Sequence, residues 1–167
     1  MTAPPGTRAG PRRWIQWFAA SAPGGWLFAR VLHHLDHAAF TLTGGRGTLT
    51  SLVAGLPVIM LTTTGARTGR SRTVPVFGFP IEERLAIAAG NFGGQQEPAW
   101  CLNLRRDPHA RIVVNHQTRR VVAEELFGEA RAAVWDRCLM IYPGGTAYAR
   151  RAAPRTIALF LLSEDVN

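Results

Sequence analysis

A short polar segment between two apolar runs carries the residues best suited to binding an anion. It reads Thr62-Thr63-Thr64-Gly65-Ala66-Arg67-Thr68-Gly69-Arg70-Ser71-Arg72-Thr73. Guanidinium groups are planar, permanently charged and able to bind phosphate or carboxylate oxygens in pairs. The glycines favour a tight turn that leaves backbone N–H groups near a ligand. The segment therefore predicts an anion-binding turn built around Arg67, Arg70 and Arg72.

A second segment combines glycines, an asparagine and a tryptophan. It reads Ala89-Gly90-Asn91-Phe92-Gly93-Gly94-Gln95-Gln96-Glu97-Pro98-Ala99-Trp100. The pattern predicts a strand that leads into a glycine-rich loop and then a helix, whose N-terminus favours anions. Trp100 would add a flat apolar wall to a ligand site. An ordinary loop with a tryptophan in the core is the alternative interpretation.

The elements that must position these segments are short. Apolar and β-branched runs predict strands over residues 56–63, 73–79, 85–89, 111–115, 119–126 and 156–162. Turns are expected at residues 80–84 and 116–118. Helices are expected at residues 98–105 and 129–141, with a short one after Gly144-Gly145. Because strands and helices do not alternate regularly, we predict an α+β fold with a mainly antiparallel six-stranded sheet or barrel and packed helices.

The length of 167 residues suits one core-forming domain. We expect a flexible leader over residues 1–12, a helical segment over 13–50 and the ligand-binding barrel over 51–167. Near the start, Trp14, Trp17 and Phe18 follow Arg12 and Arg13. This aromatic and basic group suits either peripheral contact with the inner face of a membrane or packing over the barrel.

Composition narrows the class of protein. The chain is 47% hydrophobic, and its formal net charge is +8, because nineteen basic residues, all of them arginine, outnumber eleven acidic ones. These arginines form small groups without interleaved aromatics, so we expect no nucleic-acid partner. Cys101 and Cys138 are far apart, which predicts no disulfide and a reducing, cytoplasmic location. His33 and His37 share a helix face but have no further ligands, so no metal is expected.

Taken together, the polar motifs resemble the deazaflavin (F420)-dependent nitroreductase and quinone reductase family, whose members share the FMN-binding split β-barrel fold. The resemblance covers residues 56–162 and rests on three motifs in the same order and spacing. They are Thr62-Thr63-Thr64-Gly65-x-Arg67-Thr68-Gly69-x-x-Arg72-x-x-Pro75, Asn91-Phe92-Gly93 with Pro98-Ala99-Trp100-x-x-Asn103-Leu104-x-x-Asp107-Pro108, and Met140-x-Tyr142-Pro143.

The resemblance implies coenzyme F420, a deazaflavin with a phosphate and an oligoglutamate tail. Arg67 and Arg72 occupy the family positions that hold the anionic tail, and Arg70 is a plausible helper. The other implied cofactor-binding residues are Thr68, Gly69, Pro75, Phe77, Ala89, Asn91, Phe92, Gly93 and Trp100. Two of these depart from the best-known relatives, since Phe92 stands in place of a lysine and Phe77 in place of a tyrosine.

The resemblance also implies an oxidoreductase that transfers hydride from reduced F420 to a small organic acceptor, such as a quinone, an enone or a nitro compound. Tyr142 and Tyr148 match family tyrosines that bind the acceptor and are candidates for protonating it, while a third such position is Gly145. Core packing of Tyr142 with surface exposure of Tyr148 is the alternative. Two other functions stay open: an FMN-dependent reductase on the same fold, and a non-catalytic carrier of a cofactor or lipid. The sequence does not indicate an oligomeric state.

Overall fold

A computed structural model describes residues 57–165, and six strands dominate this part of the chain. They are β1 (Val58–Thr64), β2 (Ser71–Ile81), β3 (Arg84–Ala88), β4 (His109–Val114), β5 (Gln117–Glu125) and β6 (Leu159–Glu164). Every neighbouring pair is antiparallel, and the order β1-β2-β3-β6-β5-β4 closes into a barrel. This confirms the predicted α+β split-barrel fold.

Within residues 57–165, three α-helices accompany the strands: α1 (Ala99–Arg106), α2 (Gly128–Ile141) and α3 (Gly145–Ala152). Side chains alternate between the two faces of a strand, so the barrel has an inner and an outer apolar face. The inner face forms a core around Ile59, Leu61 and Phe160, to which α1 contributes Trp100 and Leu104.

A second core covers part of the outer face. Phe79 of β2 and Leu161 of β6 pack there with Cys138 of α2. Tyr142, directly after α2, belongs to the same cluster, and Tyr148 of α3 packs against it. The outer core therefore places the two candidate tyrosines over strands β2 and β6.

The turn between β2 and β3 is shorter than predicted. Strand β2 continues through Pro80 and Ile81, which pair with Leu85 and Arg84, so only Glu82-Glu83 remain as the turn. Pro80 is tolerated because β2 pairs with β1 only up to Phe77, which leaves the proline no second neighbour that needs its missing N–H.

The turn between β4 and β5 also lies earlier than predicted. Asn115 and His116 form it, with φ values of 49° and 64°, whereas Gln117 and Thr118 already pair with β4. Two consecutive residues in the left-handed region are typical of a tight hairpin turn, and asparagine tolerates that conformation well.

The predicted leader (1–12), the helical segment (13–50) and the first residues of the predicted barrel domain (51–56) lie outside the described residues. The proposed aromatic and basic anchor belongs to this part of the chain and stays a prediction. Between residues 57 and 165, no helix is long and apolar enough to cross a membrane.

Candidate active site

The predicted anion-binding turn is the compact loop between β1 and β2. The amide of Gly65 donates to the carbonyl of Arg70 at 2.9 Å, and the amide of Gly69 donates to the carbonyl of Gly65 at 2.8 Å. Gly69 has a φ of 64°, which a glycine adopts without strain. Arg67, Arg70 and Arg72 are exposed, and none of them forms an ion pair with a carboxylate of the described residues. The turn thus presents three guanidinium groups to solvent.

A buried amide connects this turn to α1. Asn103 donates from Nδ2 to the hydroxyl of Thr63 at 2.9 Å, and its Oδ1 accepts from the backbone N–H of Ala66 at 2.9 Å. Thr63 pairs with Arg72 across β1 and β2, so these two residues share a face of the sheet. The sequence marked Asn103 only as part of a motif and gave it no role.

The outer face of β2 runs from the turn towards the tyrosines. Thr73, Pro75 and Phe77 point to this face at alternate positions, and Phe77 packs against the outer core. At about 3.3 Å per residue, the strand from Ser71 to Phe77 spans about 20 Å. Three predicted parts of the site, the arginine turn, Pro75 and Phe77, therefore follow one strand.

The loop after β3 has an unusual backbone. Asn91, Phe92 and Gly93 all have positive φ values, of 43°, 51° and 82°. Only glycine adopts this region freely, so the two other residues need support from their surroundings.

Arg155 supplies much of that support. Its guanidinium donates to the carbonyls of Ala89 at 3.0 Å and Gly94 at 2.8 Å, with a longer bond to Gly90 at 3.4 Å. One side chain thus holds both ends of the loop. Sequence reasoning missed Arg155, because nothing in its neighbourhood distinguishes it from the other arginines of this arginine-rich chain.

Helix α3 contacts the middle of the same loop. Arg151 donates from Nη2 to the carbonyl of Phe92 at 3.2 Å, and Gln95 donates back to the carbonyl of Arg151 at 2.7 Å. The guanidinium of Arg151 also lies 5.0 Å from the ring centroid of Tyr148. Loop and helix are therefore joined at the position of the second candidate tyrosine.

The two tyrosines form a hydrogen-bonded pair. Their hydroxyl oxygens lie 3.2 Å apart, and their ring centroids are 5.9 Å apart at an angle of 46°. The ring of Phe92 packs edge-on against Tyr148 at 6.3 Å. Burial raises the pKa of Tyr142 far above its ordinary value, and the neighbouring Tyr148 raises it further. The buried phenol therefore stays protonated, and the half-buried Tyr148 connects it to the outside.

Two predicted cofactor-binding residues, Trp100 and Ala89, have side chains buried in the inner core. Trp100 is only 7% exposed and packs edge-on against Phe160 in the inner core at 5.6 Å. Ala89 is fully buried, and its amide donates to the carbonyl of Ala158. Both have evident packing roles, and contact of their side chains with a cofactor stays a prediction.

Gly145, at the position of the third family tyrosine, is also packed closely. A Cβ added there would lie 2.9 Å from Cδ2 of Leu139. A side chain at this position would require the Leu139 side chain to move.

The closed six-stranded antiparallel barrel with its packed helices places the protein in the split-barrel class. A family model of F420H(2)-dependent quinone reductases matches residues 36–164, and the chain belongs to this family. The match confirms the family resemblance of the sequence.

Solved structures agree with this assignment. The structure of an F420-H2 dependent reductase, FDR-A, is 28% identical, with a TM-score of 0.58 over 64% of this chain and 94% of that one. A structure described as a domain-swapped dimer is 26% identical, with a TM-score of 0.58 over 85% of this chain and 100% of that one. The Agrobacterium tumefaciens protein Atu2129, of unknown function, shares the fold at 14% identity and a TM-score of 0.51, over 72% of this chain and 55% of that one.

The protein is therefore an F420-dependent reductase, and coenzyme F420 is its cofactor. This confirms the predicted enzyme class and cofactor. A small-molecule substrate is consistent with the same family.

Proposed function

We propose that the enzyme reduces a small quinone at the Tyr142–Tyr148 pair, with coenzyme F420 lying along the outer face of β2. The observation that carries the proposal is the 3.2 Å contact between the two phenols, beside Phe77 and the Phe92 loop. A hydrogen-bonded phenol pair at the end of the outer face of β2 is suited to polarising a carbonyl oxygen.

The residues present fit the coenzyme. Arg67 and Arg72, helped by Arg70, would hold its phosphate and glutamate carboxylates, because they are exposed and without carboxylate partners in the described chain. Thr68 and Gly69 would shape the turn around the same anions.

The ring system would bind between β2 and the braced loop. Pro75 and Phe77 offer apolar contacts from the strand, and Asn91, Phe92 and Gly93 offer backbone and ring contacts from the loop. When bound, the reduced coenzyme would supply a hydride, so the reduction would transfer two electrons in one step.

The phenols would then act on the acceptor. Tyr148 is half-buried and can donate a hydrogen bond to the oxygen on which negative charge develops. Tyr142 can donate to the Tyr148 oxygen, which orients the second hydroxyl outward. Because its pKa is raised, Tyr142 keeps its proton and holds this arrangement at neutral and mildly alkaline pH.

The description of the family favours a quinone as the acceptor. An enone carbonyl or a nitro group presents the same kind of oxygen to the phenols and is the second candidate class. With a glycine at position 145, the acceptor would meet one phenol donor directly, Tyr148, which Tyr142 orients.

Phenylalanine substitutions test the proposal. With a soluble naphthoquinone as acceptor, we expect Tyr148→Phe to lower kcat/KM about 100-fold, because it removes the donor to the developing charge. Tyr142→Phe should have a smaller effect, since it removes only the orienting bond. Titration of the oxidised coenzyme should give a Kd within about twofold of wild type for both variants, because neither hydroxyl is assigned to coenzyme binding. Wild-type turnover by Tyr148→Phe would refute the proposed role.

A further inference from the structure

Asn103 and Thr63 are buried polar residues that bond each other, with exposures of 7% and 2%. Burying a polar group is unfavourable unless its hydrogen bonds are made inside the protein. The two hydrogen bonds of the Asn103 amide, which lies between α1 and β1, therefore offset the cost of burying it.

One bond of Asn103 lies in the core, and the other joins it to the arginine turn. The bond to Thr63 fastens α1 to β1, whereas the bond from the Ala66 N–H fixes the backbone directly before Arg67. The turn's other bonds, from Gly65 to Arg70 and from Gly69 to Gly65, stay within it. Among the residues described, the Ala66–Asn103 bond is thus the hydrogen bond that orients the turn relative to α1.

We propose that Asn103 is a positioning residue for the anionic half of the coenzyme: its bond to the Ala66 N–H sets the arginine turn so that the phosphate and glutamates contribute to affinity. The proposal rests on the coenzyme placement given above. Asn103 itself is buried and acts through the turn, without touching the ligand.

Only an amide satisfies both partners. A leucine has a similar shape but leaves the Ala66 N–H and the Thr63 hydroxyl without the hydrogen-bond partners that Asn103 provides. An aspartate would bring a negative charge into a buried site. Thr63→Val removes the strand bond and leaves the bond to Ala66 in place, which makes it the matched control.

The turn offers a second, independent variant. The amide of Thr68 donates to the carbonyl of Gly65 at 3.1 Å, so Ala66 occupies the second position of a four-residue turn, where proline is favoured. Ala66→Pro removes the N–H that Asn103 accepts from while α1, β1 and Asn103 stay unchanged.

The experiment compares two ligands by equilibrium titration: complete coenzyme F420, and the deazaflavin with its ribityl chain but without phosphate or glutamates. In Asn103→Leu and Ala66→Pro we expect affinity for the complete coenzyme to fall about tenfold, with affinity for the truncated ligand within about twofold of wild type. Thr63→Val should keep most of the preference for the complete coenzyme.

Equal weakening of both ligands by Asn103→Leu and by Ala66→Pro would overturn the inference, because it would indicate a general structural role. Unchanged affinities would also overturn it, as would a Thr63→Val variant that loses the preference as fully as Asn103→Leu. The double variant Arg67→Ala/Arg72→Ala separates this inference from the placement of the coenzyme. If it keeps the wild-type preference for the complete coenzyme, the assignment of the arginines is itself wrong.

Discussion

Gly93 lies where the glycine-rich loop after β3 meets α3. A Cβ built on it would be 2.7 Å from Cβ of Arg151 and 3.1 Å from the carbonyl oxygen of Tyr148. Its φ of 82° is strained for any residue with a side chain. The absence of a side chain at this residue thus allows the loop to reach the tyrosine pair.

We therefore expect Gly93→Ala to push the loop away from α3. The free energy of unfolding should fall by about 2–3 kcal/mol, from the strained backbone and the clash together, and coenzyme affinity should fall with it. Urea unfolding and coenzyme titration measure the two effects. Gly90→Ala is the control, because a Cβ there would meet Cδ2 of Tyr148 at an ordinary 3.6 Å. Equal stability of the two variants would contradict this explanation.

At the scale of elements, the loop depends on a segment far along the chain. Arg155 follows α3 and binds carbonyls at both ends of the loop, at Ala89 and Gly94. The loop therefore keeps its three positive φ values only while α3 and its following residues stay in place. The loop is in this way held against the barrel.

Arg155→Met tests this dependence. Methionine keeps the apolar stem but leaves the carbonyls without their donor, so we expect coenzyme affinity to fall about tenfold and amide hydrogen exchange over residues 89–95 to accelerate. Arg150→Met, in the preceding helix α3, is the control, because Arg150 is exposed and forms no hydrogen bond or ion pair with the described residues. Loop exchange at the wild-type rate in Arg155→Met would show that the guanidinium does not hold the loop.

At the scale of the whole molecule, two buried thiols connect stability to pH. Desolvation by burial raises the pKa of Cys101 to about 12 and that of Cys138 to about 11. The pKa of a thiol in the unfolded chain is about 8.5, so above that pH the unfolded state releases protons that the folded state retains. Stability from this source is complete below about pH 8.5 and is lost as the pH rises towards the folded-state values.

We expect the free energy of unfolding under reducing conditions to decrease between pH 9 and 10, by up to about 1.4 kcal/mol per pH unit for each thiol. Urea unfolding at several pH values measures the slope. The double variant Cys101→Ala/Cys138→Ala should be less stable at pH 7 because of the lost packing, but its slope should be flatter. Parallel slopes for the two proteins would exclude the thiols as the cause.

Local patterns of the sequence predicted most of the barrel. Short apolar, β-branched runs mark strands such as β1 and β4, and Asp107-Pro108 marks the end of α1, because the apolar pattern and proline both act within a few residues. The arginine turn and the glycine loop were recognisable for the same reason. The β2–β3 turn was misplaced because Pro80 lies where β2 has no β1 neighbour, so the strand continues through it. The β4–β5 turn was misplaced because Asn115 adopts a left-handed backbone conformation.

The sequence by itself thus determined the strands, the family motifs and, through the family, the cofactor. Only the tertiary structure decided which side chains support them: Tyr142 bonds Tyr148, Asn103 bonds Ala66 across 37 residues, and Arg155 bonds Ala89 across 66. The physical reason is barrel closure. The pairing of β3 with β6 brings the ends of two distant segments together, and no local periodicity encodes which groups then meet.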